Sequence, residues 1–138
     1  MRASEPVEGF LNFLREVQQE YNIASAQEGD ANDATQDLLH SLELDRNGYH
    51  DCAKISIALR QVRQERRAAK DKAQQLKPII DWIGQNTKTI RELERLLGEV
   101  RKAERSTEGR FYNHKTDILK QTLGAVSYTH LRAHETKA

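Results

Sequence analysis

Apolar residues recur every three or four positions along the first third of the chain. The series begins with Val7, Phe10, Leu14, Val17, Tyr21 and Ala24. This spacing indicates one buried stripe on an α-helix, although residues 28–30 weaken it with two charges and a glycine. A glycine costs a helix interior roughly 1 kcal/mol relative to alanine. We predict one helix over residues 6–44 with a weak point at Gly29. The alternative is a break there, with Asp30 or Asp33 capping a second helix.

The second amphipathic segment is more regular. Its stripe keeps the same spacing and consists of Cys52, Ile55, Leu59, Val62, Arg66, Ala69, Ala73, Leu76, Ile80 and Ile83. Arg66 is the one charged member of this stripe. We predict a helix over residues 49–84 that kinks at Pro78, because proline removes a backbone donor and clashes with the preceding turn. Asn47 and Gly48 tolerate positive φ, so we expect the chain to reverse there into an antiparallel hairpin.

Two shorter helices are predicted beyond the hairpin. The first covers residues 87–105, after a Thr87 cap, and its stripe consists of Ile90, Leu93, Leu97 and Val100, widened by Leu96. The second covers residues 117–123, between a Thr116 cap and a following glycine. We expect Gly84 to end the helix that precedes them, and the third helix to fold back.

Stripes this narrow bury little surface alone and need one another. The predicted fold class is therefore all-α: a long antiparallel helical hairpin or three-helix bundle of coiled-coil character, with a short C-terminal helix. We expect it to form a single domain over residues 1–125. Of the 138 residues, 37% are hydrophobic and 31% are charged, and the mean hydropathy is −0.82. This balance is typical of long amphipathic helices rather than of a thick globular core.

Nothing in the sequence predicts a membrane segment. The chain has no run of about 18 apolar residues and no apolar leader at its start. Its one cysteine, Cys52, excludes an internal disulfide and a multi-cysteine metal site. The position of Cys52 on the apolar stripe indicates a small buried hydrophobe rather than a nucleophile. We expect a cytoplasmic protein that needs no cofactor.

Charge is divided between two halves of the chain. Residues 1–45 carry ten acidic and two basic side chains, a net charge of −8. Residues 46–125 carry ten acidic and eighteen basic side chains, a net charge of +8. In a structural interpretation, the acidic first helix pairs with the basic second helix across the hairpin seam, and these pairs set register and orientation.

In a functional interpretation, one outward ridge of the second helix binds nucleic-acid phosphates. Its residues are Arg60, Arg63, Arg67 and Lys70, assisted by Arg110 and Tyr112. Solvated charge runs are common on long helices, and the whole chain carries a net charge of only +1. The structural interpretation is therefore preferred.

No arrangement of residues indicates an enzyme. The chain lacks a Gly-rich phosphate loop, a zinc-protease motif, a serine-hydrolase motif and a paired-carboxylate spacing, so we expect no catalytic residue, no metal and no small-molecule substrate. His40 and His50 flank the predicted turn. We expect two surface histidines there, and the alternative is that the two side chains bind one metal ion. Trp82 is expected in the core or seam, with a partner hot spot as the alternative. Phe111 and Tyr112 lie among basic residues. This pattern occurs in proteins that bind single-stranded nucleic acids, and it also occurs where a chain end packs onto a helical bundle.

Three segments resemble small helical proteins, of unassigned function, encoded by phages and prophages of Gram-positive bacteria. They are residues 34–44, 62–71 and 97–104. The resemblance spans most of residues 7–125 and implies a non-enzymatic accessory role. It assigns no functional residue.

The end of the sequence resembles translated adapter DNA rather than a natural protein. Residues 126–136 resemble the translation of a transposase-based sequencing-library adapter over eleven consecutive positions. We therefore expect the native chain to end near Ala125 and the tail over residues 126–138 to contribute little to folding. His130 and His134 have the four-residue spacing of two metal ligands on a helix, but this interpretation is set aside because they lie in the tail.

The leading functional hypothesis is a non-enzymatic helical interaction or assembly protein, whose partner is another protein or a second copy. A hairpin with a short third helix leaves apolar surface uncovered, and dimerisation into a four-helix bundle covers it. The alternative is a nucleic-acid-binding accessory protein that uses the basic face of the second helix.

Overall fold

A computed structural model describes residues 1–110 and 114–125, and every regular element within them is an α-helix. The helices are α1 (Ser4–Leu44), α2 (Tyr49–Gln85), α3 (Thr87–Thr107) and α4 (Ile118–Ala125). The predicted all-α fold class is confirmed. The chain divides into two compact units, Met1–Ala103 and Glu104–Ala138, and α3 spans their boundary. The single domain expected over residues 1–125 stays a prediction.

The first helix is continuous. α1 passes through Gly29 without a break, so the chain adopts the continuous alternative and neither Asp30 nor Asp33 caps a second helix. Gly29 has no positive φ, and a Cβ atom built on it would meet nothing within 4 Å. The glycine at this position is therefore tolerated by the helix but not required by it.

Replacing Gly29 by alanine should stabilise the protein by about 1 kcal/mol, because alanine has the higher helix propensity and meets no neighbour. Urea unfolding followed by circular dichroism measures the change. Ala26→Gly, the reverse substitution at an exposed position of α1, should lower the stability by a similar amount. A Gly29→Ala protein that is no more stable than the wild type would contradict a continuous helix.

The reversal between α1 and α2 depends on a side chain rather than on a left-handed backbone. Gly48 has φ −72° and ψ 168°, so the predicted use of positive φ at this turn is wrong. The Asn47 amide nitrogen instead donates to the Ser41 carbonyl oxygen at 2.7 Å. That carbonyl belongs to the last turn of α1 and also accepts from the Asp45 N–H at 3.2 Å. Gly48 then precedes α2, and its carbonyl oxygen accepts from the Cys52 N–H at 3.0 Å.

A single residue, Asn86, separates α2 from α3. Its side-chain amide donates to the Trp82 carbonyl oxygen at 2.8 Å, and its own carbonyl oxygen accepts from the Ile90 N–H at 3.0 Å. Asn86 therefore ends one helix and starts the next, instead of the Gly84 and Thr87 that the sequence predicts. α2 includes Pro78 without interruption, and the predicted kink there stays a prediction.

The core of the first unit is thin and changes character along α1. Its buried hydrophobic residues are Leu11, Leu14, Val17, Ala24, Ala31, Ala69 and Leu97. Large side chains are buried near the start of α1, whereas alanines are buried in its middle. Small side chains let two helices approach closely but bury little surface themselves. The middle of the hairpin therefore buries less apolar surface than the end where α1 begins.

Within the described residues, extended helix packing joins α1 to α2. α3 contacts the hairpin near the start of α1. Arg101 Nη2 lies 2.6 Å from Glu8 Oε2, and Ile90 shares a crevice with Leu14 and Ile83. Among the described residues, the extended packing of the third helix along the hairpin that the sequence predicts is therefore not seen.

In the second unit, α4 begins after Asp117. The Asp117 carbonyl oxygen accepts from the Gln121 N–H at 3.0 Å, so Asp117 occupies the cap position predicted for Thr116. Gly109 has φ 64° and follows the end of α3, where the left-handed conformation ends helices and favours glycine. The predictions for Phe111, Tyr112 and the tail, with its two histidines, lie outside the described residues.

Candidate interaction surfaces

The hairpin leaves much of its apolar stripe partly open to solvent. Ala69 is the one buried residue of α2, and most other members of the α2 stripe are half-buried. Among the described residues, no large side chain is less than 2% exposed. Large apolar side chains of the hairpin that are exposed include Phe10, Phe13, Ile23, Leu39, Ile57 and Trp82.

A groove of about 550 Å³ runs between α1 and α2 in the middle of the hairpin. Its apolar lining consists of Ala31, Ala34, Val62, Ala68 and Ala69. Its polar lining consists of Gln27, Asp30, Glu65 and Lys72. Because alanine side chains are short, the groove has room for larger side chains from another helix.

Half-exposed aromatic residues lie nearer the start of α1. Phe10 packs edge-on against Trp82, with ring centroids 6.2 Å apart and an interplanar angle of 78°. Phe13, Glu20 and Gln27 follow one another at seven-residue spacing, so they share one face of α1. We call the surface formed by Phe10, Phe13, Ile23, Trp82 and the alanine groove the open side.

Trp82 lies at the edge of this surface. Its side chain is 38% exposed, and that of Phe10 is 42% exposed. The sequence predicted a core or seam residue, with a partner hot spot as the alternative. One side of the Trp82 side chain lies in the seam, and the other side is exposed to solvent. This position is compatible with a seam residue and with a partner hot spot.

A second groove follows α2 and is strongly basic. Arg60, Arg63, Arg66 and Arg67 line it, and Asp71 is its one acidic residue. The two grooves share Ala68, and no charged residue lines both. Four arginines therefore share one surface with a single opposing carboxylate.

The basic face of α2, defined as Arg60, Arg63, Arg67 and Lys70, is exposed. Elsewhere on this helix, Lys72 Nζ lies 3.8 Å from Glu20 Oε2, and Lys77 donates to Asp81 at 2.8 Å. The hydrogen bond that Lys77 donates to Asp81, together with the negative charge of Asp81, raises the pKa of Lys77 above its ordinary value. In the described part of the chain, none of the four residues of the basic face has such a partner.

These contacts correct the interpretation that the charges of α1 and α2 pair along the seam. Glu20–Lys72 is the one ion pair that joins the two helices within the described residues, and both side chains are about half exposed. Such a pair contributes under about 1 kcal/mol. Arg66, on the seam, has a buried Nε atom without a hydrogen-bond partner among the described residues. Within the described residues, the basic side chains of α2 other than Lys72 thus form no ion pair with α1.

The other candidate residues of the sequence analysis lie at separate positions along the chain. Arg110 is exposed and belongs to the second unit, and Tyr112 lies outside the described residues. His40 and His50 are both exposed, and Cys52 is half-buried beside the turn, with Sγ 3.9 Å from the Asn47 carbonyl oxygen. The described residues contain no group of three or more His, Cys, Asp or Glu side chains placed to hold a metal ion. They also contain no helix with the length and hydropathy of a membrane span.

Sequence reasoning missed the alanine groove. Its signal is present, since Ala31 and Ala34 are three residues apart on α1 and Ala68 and Ala69 are adjacent on α2. The spacing places Ala31 and Ala69 on the apolar stripes, but it does not show that the neighbouring side chains leave a groove beside them.

Comparison of the chain with models of protein families, with curated proteins and with solved structures finds no match.

Proposed function

We propose that this protein is a non-enzymatic helical assembly protein that associates with a second copy of itself through the open side. The observation that carries the proposal is a groove lined by alanines on a hairpin that also leaves Phe10, Phe13 and Trp82 half-exposed. Exposed apolar surface with a polar rim is typical of protein interaction sites. The single cysteine supports action in a reducing, cytoplasmic compartment.

Helix charge supports a second copy as the partner. α1 carries a net charge of −8 and α2 carries a net charge of +4. Two copies related by a two-fold axis can place α1 of each against α2 of the other, which brings opposite charges together. Placing α1 against α1 would bring two strongly acidic helices together. The result is a four-helix arrangement in which each groove receives side chains from the partner copy.

The experiment that tests this arrangement is zero-length cross-linking of carboxylates to amines in a mixture of ¹⁴N- and ¹⁵N-labelled protein. Mass spectrometry then separates links within a copy from links between copies. We expect mixed-isotope links between acidic residues of α1 and the α2 lysines Lys54 or Lys72. The proposal would be contradicted if every link joined residues of the same isotope. It would also be contradicted if the mixed-isotope links involved only the α3 lysines Lys88 and Lys102.

A further inference from the structure

The open side does not include the basic groove of α2, although the four arginines of that groove account for the positive net charge of this helix. Arg60, Arg63 and Arg67 are exposed, and in the described part of the chain they have no acidic partner. Arg66 adds a fourth guanidinium to the same groove, and its Nε is buried without a partner among the described residues. Placing an arginine in an apolar stripe is unfavourable for folding, since an unsatisfied buried donor destabilises a protein by about 1–3 kcal/mol. A surface of this kind is suited to an anion supplied by another molecule.

We propose that the basic face of α2, together with Arg66, binds the phosphate backbone of a double-stranded nucleic acid without reading its base sequence. Planar guanidinium groups bind phosphate oxygens in pairs of hydrogen bonds. From Arg60 to Lys70 the helix rises about 15 Å, which matches roughly four phosphates of one strand along a duplex axis. The four cations of the basic face project from one continuous helix, so their spacing along the helix axis is set before the ligand binds.

The lining of the groove favours a duplex over a single strand. Proteins that hold single strands stack the unpaired bases on aromatic side chains. None of the described residues that line this groove is aromatic; besides the arginines, the polar ones include Ser56 and Gln64. A row of cations without aromatic residues can bind the phosphate backbone but cannot stack unpaired bases. Such a surface is therefore better suited to a duplex.

Salt dependence gives the expected size of the effect. Neutralising about four phosphates predicts a slope of log K against log salt of about −3.6, or roughly 100-fold weaker binding between 50 and 200 mM salt. Fluorescence anisotropy of the full chain with labelled duplex DNA and duplex RNA measures this slope. The two duplexes share the phosphate backbone, and their relative affinities show which one is preferred.

The variant that tests the site is Arg60→Gln/Arg63→Gln/Arg67→Gln, which changes exposed residues only. We expect it to bind a duplex at least ten times more weakly at about 50 mM salt, and to flatten the slope to about −1. Circular dichroism should show unchanged helix content. The matched control is Arg91→Gln/Arg95→Gln/Lys102→Gln on α3, which removes the same charge from exposed residues and should retain most of the binding.

Several results would overturn the proposal. An equal loss in both triple variants would mean that net charge alone causes binding. Tighter binding to a single strand of the same sequence would contradict a duplex ligand, and tighter binding to phosphatidylserine vesicles would identify a lipid surface instead. No binding to either duplex at low salt would also end the proposal. None of these binding results decides whether the protein self-associates through the open side, because that surface contains none of these arginines.

Discussion

Leu14→Ala should destabilise the protein by about 3 kcal/mol, because it removes one of the few large side chains that the hairpin buries. Leu14 is 5% exposed and lines the crevice where α1 meets Ile83 of α2 and Ile90 of α3. Truncation there leaves a cavity between three helices in addition to the lost burial. A core this thin has few other contacts to offset the loss.

Urea unfolding followed by circular dichroism, at one fixed protein concentration, measures this effect. The matched control is Leu39→Ala, the same change on the same helix at a side chain that is 41% exposed. The control should lower the free energy of unfolding by less than about 1 kcal/mol, in proportion to the smaller area that it uncovers. Equal losses for the two variants would show that burial at the start of α1 does not hold the hairpin together.

Helical spacing predicted most of the fold. The bounds expected for the first three helices lie within two residues of those observed, because apolar stripes such as Ile90–Leu97 report directly on which face is buried. The local details were less accurate. Asn86 and Asp117, rather than Thr87 and Thr116, occupy the starts of α3 and α4, since a cap depends on which carbonyl and amide groups the packed helices leave without partners.

The candidate surfaces were predicted in part. The outward placement of Arg60, Arg63 and Arg67 followed from their spacing, and the structure places all three on one exposed groove. Their lack of partners did not follow, because ion pairing depends on the register between α1 and α2. The alanine groove was not predicted for the same reason. Spacing within one helix indicates a face, whereas a groove depends on how two helices are aligned.

The largest expected effect on assembly comes from Ile23→Gln/Ala34→Gln. Ile23 is an exposed side chain of the open side, and Ala34 lines its groove. The double variant removes an apolar contact and fills the groove with a longer polar side chain, so it blocks the partner copy without touching the buried core. We expect self-association to weaken by at least about 100-fold, which corresponds to roughly 2.7 kcal/mol.

The matched control for assembly is Leu39→Gln/Ala26→Gln. It makes the same two chemical changes on α1, at one aliphatic residue and one alanine that do not line the groove. Ala26 is exposed and Leu39 is 41% exposed. Both double variants therefore add the same polar atoms to one helix, and they differ in whether the open side is altered.

Sedimentation equilibrium of the full chain, from low to high micromolar concentration, tests self-association through the open side most directly. We predict that the wild type and the Leu39→Gln/Ala26→Gln control sediment with twice the monomer mass in the upper part of this range. The Ile23→Gln/Ala34→Gln protein should sediment as a monomer throughout, with its helix content unchanged. A wild-type protein that is monomeric at high micromolar concentration, or a dimer that both variants weaken equally, would contradict this account.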